Sequence, residues 1–174
     1  MSITPDTKDW TWVLSRPCED CRFDASLVRR DAVGHDIRES ASRWIPLLAN
    51  GAVAQRPRPD RWSVLEYGCH VRDVLGIFAK RLDLMLVEDE PAFENWDQDE
   101  TALNERYHLQ DPTIVSYELL AAADALATRY ESVTDPQWDR PGTRSDGNRF
   151  TVETLAVYGL HDPIHHLWDV QAAQ

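Results

Sequence analysis

The sequence predicts an all-α protein built as a four-helix bundle. Apolar residues recur at helical spacing in four long segments, and polar or Pro- and Gly-rich stretches separate those segments. No segment alternates apolar and polar residues in the way that a half-buried strand would. The 174 residues suffice for one substantial core and are too few for two, so residues 1–174 are expected to form a single domain.

The first helix is predicted over Asp24–Asn50, because an apolar stripe recurs from Val33 through Leu48 and Gly51 supplies a stop. Residues 1–23 precede this helix and contain two tryptophans and a phenylalanine. We expect these residues to form an N-terminal arm that packs onto the bundle through its aromatic side chains.

The second helix is predicted to begin at Ser63, because Ser63 and Glu66 fit a capping box. The box explains Glu66 fully. The apolar stripe of this helix extends to Met85, and the helix is expected to fade in an acidic stretch that ends at Pro91.

The third helix has a clear start, because Asp111 is a suitable N-cap and Pro112 suits the first helical position. Its buried face is expected to extend to Val133. Residues 92–110 before it are polar and irregular, with a short helix predicted at Ala102–Tyr107. This long connection between helices two and three allows a crossover, so a simple up-and-down order is not required.

The fourth helix is predicted over Thr151–Val170, after a loop at Thr134–Asn148 that is rich in Pro, Gly and Asp. Pro163 lies inside this helix. It lacks the N–H that would bond to the carbonyl of Gly159, so a kink is expected there.

The charge of the chain argues against nucleic acid as a partner. The net charge is −12 and the pI is about 4.8, and an acidic surface repels phosphate backbones. The N-terminus lacks the basic and apolar regions of a secretory signal, and no apolar run reaches membrane-spanning length. We expect a cytoplasmic protein that acts on a small-molecule substrate without a membrane partner; a homodimer is an open alternative to a monomer.

Three histidines form the most informative pattern in the sequence. His161 and His165 are four residues apart, which on a helix puts both imidazoles on one face. His70 lies on the predicted second helix, and a bundle that packs helices two and four together brings it near this pair. Three protein ligands with an open fourth position are typical of a reactive zinc site. Asp162 and His166 form a second pair at the same spacing, and spacing alone leaves the choice between the pairs open.

Two carboxylates are candidates to orient these histidines. Asp73 lies one helical turn from His70, and Asp162 is next to His161, so each could accept an N–H from an imidazole. The alternative is that Asp73 is a solvated charge, that Asp162 is exposed and that the histidines are ordinary half-buried residues.

Cys18 and Cys21 form a CxxC sequence in the N-terminal arm. A zinc ribbon would need a second cysteine pair, and Cys69 is the only other cysteine. A redox motif would need a βαβ setting that the sequence does not predict. We therefore expect two reduced thiols that bind no ligand. Cys69 precedes His70, points away from it and is not expected to be a ligand.

Two segments of the chain resemble the DinB/YfiT-like superfamily. WSVLEYGCHVRDV is similar to its second-helix motif, W-[ST]-x-x-E-x-x-x-H-x-x-D, and HDPIHHLWDV is similar to its fourth-helix motif, H-x-x-x-H. The resemblance implies a four-helix bundle that holds a divalent metal ion, often zinc or nickel, on three histidines. Carried over residue by residue, the implied ligands are His70, His161 and His165.

The resemblance also implies an activity. Members with known activity resemble S-transferases, or isomerases of the maleylpyruvate type, that use a low-molecular-weight thiol such as bacillithiol or mycothiol, and we expect the metal to activate such a thiol. The alternatives are a metal-dependent hydrolase and a non-catalytic metal- or ligand-binding module of a stress response. The chain departs from the family pattern at Pro163 and at Trp168, where many relatives carry glutamine. DNA binding is not implied.

Overall fold

The computed structural model describes residues 8–172 and confirms the helical fold class, with a small sheet added. Residues 1–7 of the predicted arm lie outside the described part. The helices are α1 (Val33–Ser42), α2 (Trp44–Leu48), α3 (Val64–Val87), α4 (Gln98–Asn104), α5 (Pro112–Glu131) and α6 (Val152–Ala172). The strands are β1 (Ala92–Phe93), β2 (Pro141–Arg144) and β3 (Arg149–Thr151). Short 3-10 helices lie at Trp10–Leu14, Ala25–Leu27, Tyr107–Leu109 and Asp135–Asp139.

The four helices α1, α3, α5 and α6 form the bundle. Helix α1 packs against α5 and α6, and α3 packs against the same two helices. Thus α1 lies diagonally across from α3, and α5 lies diagonally across from α6, so the first and the last connections cross the bundle. The sequence suggested a crossover between helices two and three instead. These helices, α3 and α5, are direct neighbours, and their long connection carries β1 and α4.

The first predicted helix is shorter than expected and is interrupted. Helix α1 begins at Val33, because Asp24 caps only a single 3-10 turn, after which the backbone is extended at Val28. Pro46, the third residue of α2, lacks the N–H that would bond to the carbonyl of Ser42, so the ladder of α1 does not continue into α2. The apolar stripe is therefore shared by two short helices.

The predicted starts of the second and third bundle helices are confirmed. The Ser63 Oγ accepts the Glu66 N–H at 3.2 Å, and the Glu66 carboxylate accepts the Ser63 N–H at 2.8 Å, which completes the capping box. Asp111 accepts the Thr113 N–H at 2.8 Å, with a proline at the first helical position of α5. The Ser63 cap fixes the start of α3, and with it the height of His70 in the bundle.

The prediction that the chain lacks strands is wrong. Strands β2 and β3 form an antiparallel hairpin whose turn contains Gly147 at φ 93°, and β1 pairs in parallel with β2. The strands are two, four and three residues long, which is too short for alternation to be recognised. The sheet follows α3 and precedes α6, and it brings Arg144 to the cavity described below.

Helix α6 runs unbroken through Pro163, so the expected kink does not interrupt it. It approaches α3 closely at Gly159, where an added Cβ would lie 2.5 Å from Cδ1 of Phe78. This contact sets the distance between the two helices that carry the histidines. None of the helices in residues 8–172 is long and apolar enough to cross a membrane.

Candidate metal centre

Helix α6 presents two neighbouring faces that carry potential metal ligands. Asp162 and His166 face α3 and its His70, and we call these three residues the cavity cluster. His161 and His165 face the N-terminal arm instead. The structure therefore does not gather the three predicted histidines in one group. The reason is that adjacent residues on a helix point about 100° apart, and α3 lies on the side of α6 that Asp162 faces.

The cavity cluster has the spacing of ligands around one ion. Its three potential ligand atoms lie within 4.8 Å of one another. The Nε2 of His70 lies 3.4 Å from Oδ1 of Asp162, and the Nε2 of His166 lies 3.8 Å from the same oxygen. Ligands about 2.1 Å from a tetrahedral zinc ion lie about 3.4 Å apart, so the three atoms could meet at one metal with small adjustments.

Several polar atoms of the cavity cluster are buried without a hydrogen-bond partner. His70 has 0% exposure, and neither of its ring nitrogens has a partner in the described chain. The Oδ1 of Asp162 is buried in the same way. A buried polar group without a partner costs about 1–3 kcal/mol. A metal ion at this point would satisfy atoms of both residues, so the cluster fits such an ion.

The charge on Asp162 is favoured where it lies. Burial works to raise the pKa of this carboxyl group, but the nearby His70 and His166 rings outweigh burial and hold the pKa well below its usual range. Asp162 is therefore an anionic oxygen donor between two imidazoles, a combination that divalent metals accept.

A second carboxylate fixes the orientation of His166. The Nδ1 of His166 lies 2.9 Å from Oδ2 of Asp169 and donates its proton to it. Arg61 in turn donates to Oδ1 of Asp169 at 2.8 Å. Because Nδ1 carries the proton, the lone pair of the neutral ring is on Nε2, the nitrogen nearer to Asp162. Metal-binding histidines are commonly supported by a carboxylate in this way.

Aromatic rings hold His70 in position. Trp96 stacks on the His70 ring with centroids 5.3 Å apart and planes at 10°, and Trp62 packs at the same distance with planes at 49°. The indole N–H of Trp96 donates to the Thr101 hydroxyl at 2.7 Å. Because Trp96 lies between β1 and α4, these two elements position the ring against the cavity cluster.

A cavity of about 510 Å³ opens beside the cavity cluster. Its volume falls within the range of small-molecule sites, about 300–1,000 Å³. Its wall is formed by side chains from the N-terminal arm, α3, β2, α6 and the connection into α4. They include His70, Asp162, His166, Arg81, Arg144 and Tyr158, and also His161 and His165, so the three predicted histidines line one cavity without meeting at one point.

Arg81 is a buried cation of the cavity wall. It is 6% exposed, its Nη2 donates to the Glu94 carbonyl at 2.9 Å, and no carboxylate in residues 8–172 lies within ion-pair distance. Burial, and then the charge of Arg144, lower the pKa of Arg81 to about 10, which leaves it charged at neutral pH. Arg144 differs, because it pairs with Asp146 at 2.7 Å. Arg81 is therefore the cation that could bind an anionic ligand.

Asp73 does not take the orienting role that the sequence predicts. Its carboxylate accepts the Tyr107 hydroxyl, and it accepts Nε of Arg72 at 2.8 Å. It makes no contact with His70 in the described chain, because these two partners hold it. Cys69 lies against Gln110, with 3.5 Å between Sγ and Oε1, and it joins no group of potential ligands among residues 8–172.

Cys18 and Cys21 are free thiols, as expected, but their surroundings are not those expected. They lie against His161 and His165, and we call these four residues the thiol cluster. Burial raises the pKa of Cys21 to about 12, and a protonated thiol is a poor nucleophile, so Cys21 lacks the lowered pKa of a redox CxxC motif. Burial, and then the charge of His165, lower the pKa of His161 to about 4, so this ring is neutral at pH 7.

Three residues of the site were not identified from the sequence. Asp169 carried a signal, because it follows His166 by three residues and so shares a helix face with it. Arg81 also carried one, because it lies about three helical turns after His70 on the same face of α3. Trp96 carried none, because its position depends on β1 and on the fold around it.

Comparisons with known proteins agree with this architecture. The sequence model of the DinB superfamily matches residues 35–170. Among solved structures, YfiT from Bacillus subtilis superposes with a TM-score of 0.71 and 19% sequence identity, over 82% of this chain and 86% of that chain. YfiT is described as a probable metal-dependent hydrolase with an unusual four-helix bundle topology. At this identity the similarity establishes the fold alone. No curated protein matches the chain.

Proposed function

Because the chain belongs to the DinB superfamily, we propose that it is an enzyme whose divalent metal ion is bound by His70, Asp162 and His166. One observation carries this proposal. The His70 ring is fully buried and both of its nitrogens lack a partner in the described residues, although a carboxylate oxygen lies 3.4 Å away. A ligated ion explains such a ring, because buried polar groups are otherwise almost always paired.

The donors of the cavity cluster are two imidazole nitrogens and one carboxylate oxygen, a set that suits zinc, nickel and similar divalent ions. When bound, the ion acts as a Lewis acid that lowers the pKa of water or a thiol and polarises a substrate oxygen. The protein supplies orientation. Asp169 holds the His166 ring in the required tautomer, and Trp96 holds the His70 ring in place.

The three-histidine set that the family resemblance implies is the competing assignment. The Oδ1 of Asp162 lies 3.4 Å from Nε2 of His70 and 3.8 Å from Nε2 of His166. These distances support Asp162 and His166, over His161 and His165, as the partners of His70. Two thiols from the arm are also close neighbours of the other pair.

The substrate that we propose is a small molecule with an anionic group such as a carboxylate. Arg81 supports this class, because it lines the same cavity as His70 without a carboxylate partner in the described chain. Asp97 and Asp99 also line the cavity, and their negative charges would repel an anionic group. We therefore place the anionic group of the substrate beside Arg81 alone.

We propose transfer of a low-molecular-weight thiol, or a thiol-dependent isomerisation, as the reaction. A cavity of about 510 Å³ is large enough for a thiol cofactor together with a small substrate. Hydrolysis is the second candidate, and the similarity in fold to YfiT, described as a probable metal-dependent hydrolase, favours it.

Metal analysis of paired variants tests the ligand set. His70→Ala and His166→Ala should each lose one ion per chain, and the double variant should lose no more than either single variant, because both residues bind the same ion. His108→Ala changes an exposed histidine and should retain all metal. If the non-additive pair is instead His70→Ala with His165→Ala, and His166→Ala keeps the ion, the three-histidine set is correct.

An activity screen tests the reaction. The metal-loaded protein is offered carboxylate-bearing electrophiles and esters, with and without bacillithiol, mycothiol or glutathione. Turnover that requires a thiol supports transfer, turnover without one supports hydrolysis, and metal binding without turnover supports a non-catalytic module. His70→Ala should lower activity about 1,000-fold, because Lewis-acid catalysis contributes several kcal/mol. Arg81→Gln should raise KM for anionic substrates about 10- to 100-fold, since a charged hydrogen bond is lost.

A further inference from the structure

We propose that the thiol cluster (Cys18, Cys21, His161 and His165) is a second metal site, a structural zinc site that attaches the N-terminal arm to α6. This site is separate from the cavity cluster and does not depend on the proposed reaction.

The geometry of the thiol cluster is that of four ligands around one point. One atom from each of the four side chains lies within 4.8 Å of every other. The Sγ of Cys18 lies 3.6 Å from Nδ1 of His165. Cys18, His161 and His165 are buried, with exposed fractions of 1%, 3% and 6%, and Cys21 is half-buried. Four donors converge here from two parts of the chain that are far apart in sequence.

The types and spacing of these donors suit zinc. Two thiolates and two imidazoles form an S₂N₂ set, which takes a tetrahedral ion, and thiolates favour soft or borderline metals such as zinc over magnesium or calcium. The order is C-x₂-C followed by H-x₃-H, and each pair has the short spacing found in structural zinc sites. Four protein ligands complete the coordination, which distinguishes this site from one that leaves a position for substrate.

A buried polar atom without a partner points to the same ligand. The Nε2 of His161 is buried and has no hydrogen-bond partner in residues 8–172. Aromatic rings cover the two histidines: Trp10 lies 5.6 Å from His161 and 4.6 Å from His165 between ring centroids, and Phe23 lies 5.3 Å from His161. An ion coordinated by the ring would compensate its burial, as a hydrogen bond does elsewhere.

The turn that carries the cysteines is formed around their sulfur atoms. The Cys18 N–H donates to the Phe23 carbonyl and the Arg22 N–H donates to the Cys18 carbonyl, both at 2.8 Å. Arg22 adopts the left-handed conformation at φ 62°, which a residue with a Cβ seldom adopts. These bonds close a tight turn that presents both thiols to α6.

The attachment has a consequence for the cavity. Trp10 lies in the same arm and lines the cavity together with His70. The residues that the thiol cluster holds against α6 therefore belong to the segment that closes one part of the cavity wall. His161 and His165 of the thiol cluster line the same cavity, so zinc bound there would keep this wall in place.

The experiment uses the full chain, purified with a reductant and without an affinity tag. Zinc content and X-ray absorption at the zinc edge are measured for the unmodified protein, for Cys18→Ser/Cys21→Ser and for the control Cys69→Ser, in which a buried thiol that faces Gln110 is changed. We expect sulfur ligands at about 2.3 Å and nitrogen ligands at about 2.0–2.1 Å in the unmodified protein and in Cys69→Ser. The double variant should lose one zinc per chain and all sulfur ligation.

Limited trypsin digestion reports the attachment itself. Arg22 is exposed in the turn that carries the cysteines, and the double variant should be cleaved after it faster than Cys69→Ser. A reduced protein without sulfur-ligated zinc, or equal zinc content in the two cysteine variants, would overturn the proposal. A Cys18–Cys21 disulfide that resists the reductant would do the same. His70→Ala/His166→Ala should keep the sulfur-ligated zinc, so a failure of the proposed catalytic site leaves this result intact.

Discussion

The cavity cluster and the thiol cluster lie on adjacent faces of one helix and differ in ligand number and in access. The cavity cluster has three potential ligand atoms beside a cavity of about 510 Å³. The thiol cluster has four, and only its two histidines line that cavity, while its two cysteines lie behind them. A three-ligand site leaves a coordination position for a reactant, whereas a four-ligand site is complete. The number of protein ligands therefore favours a reactive role for the cavity cluster and a structural role for the thiol cluster.

The difference also shows how one segment, HDPIHH, can serve two sites. Each cluster takes one pair of residues spaced four apart, and the two pairs are offset by one residue, about 100° around the helix. Asp169 lies between the two pairs, 2.9 Å from Nδ1 of His166 and 3.9 Å from Nε2 of His165. Only the shorter distance is a hydrogen bond, so Asp169 supports the cavity cluster directly.

Graded chelation should distinguish the two clusters, and it should give the largest effect. A weak chelator should remove the ion of the cavity cluster first, because that site is open and has fewer ligands. Activity should then fall to background, and the melting temperature should fall by less than it does when the second ion is lost. A stronger chelator should remove the sulfur-ligated zinc and lower the melting temperature, because a metal bound only to the folded state stabilises it.

Restoring the metal supplies the control for this experiment. Zinc or nickel added after weak chelation should recover activity together with the smaller, first loss in melting temperature. If activity and thermal stability are lost together at one chelator concentration, the two clusters are not distinct in the way proposed.

Local signals account for the parts of the fold that the sequence predicted correctly. Helices α3, α5 and α6 follow from apolar spacing, and the caps at Ser63 and Asp111 follow from their neighbours within three residues. Pro46 was a local signal too, and it explains the broken first helix. The sheet and the crossed connections were not predictable in this way, because strands of two to four residues show no period and the helix order depends on long-range packing.

The sequence predicted which residues of α6 could bind a metal ion, but it did not predict which face of α6 meets α3. Spacing identified both pairs, His161 with His165 and Asp162 with His166, but the face that meets α3 is set by packing such as that of Gly159 against Phe78. Cys18 and Cys21 lack a second cysteine pair, but a histidine pair can complete a zinc site in its place. The sequence did not show that His161 and His165 lie beside these cysteines. The sequence contains the residue types and the spacing of both pairs, but it does not show that the arm and α6 bring them together.

Asp169→Asn tests whether support by a carboxylate distinguishes the cavity cluster. The amide oxygen can still accept the His166 proton, but the negative charge is lost. Metal affinity at the cavity cluster should fall about 10- to 100-fold, which competition with a coloured chelator measures. The sulfur-ligated zinc should be unaffected, because His165 is 3.9 Å away.

Asp73→Asn is the matched control for Asp169→Asn. Asp73 is one of the two carboxylates that the sequence offered as orienting candidates, and its partners are Tyr107 and Arg72. Its variant should leave metal affinity at both clusters unchanged. If both variants lose the same metal affinity, the affinity depends on the overall negative charge of the protein. The contact between Asp169 and His166 would then not contribute to it.

Gly159→Ala should have the smallest effect, and it acts on the helix spacing that the cavity cluster requires. The new Cβ would lie 2.5 Å from the buried Phe78 ring, so α6 must move away from α3. Overpacking costs about 1–3 kcal/mol, and the higher helix propensity of alanine offsets about 1 kcal/mol of this. The free energy of unfolding, measured with urea, should therefore fall by about 1 kcal/mol. Metal affinity should fall at the cavity cluster, which spans both helices, and not at the thiol cluster, which joins the adjacent face of α6 to the N-terminal arm.

Gly76→Ala gives the opposite expectation at a matched position. An added Cβ at Gly76 in α3 meets nothing within 4 Å, so only the gain in helix propensity of about 1 kcal/mol remains. This variant should be slightly more stable and should bind metal normally at both clusters. If Gly159→Ala is equally stable and keeps its metal affinity, close contact between α6 and α3 does not set the geometry of the cavity cluster. The difference between the clusters would then depend on their ligands alone.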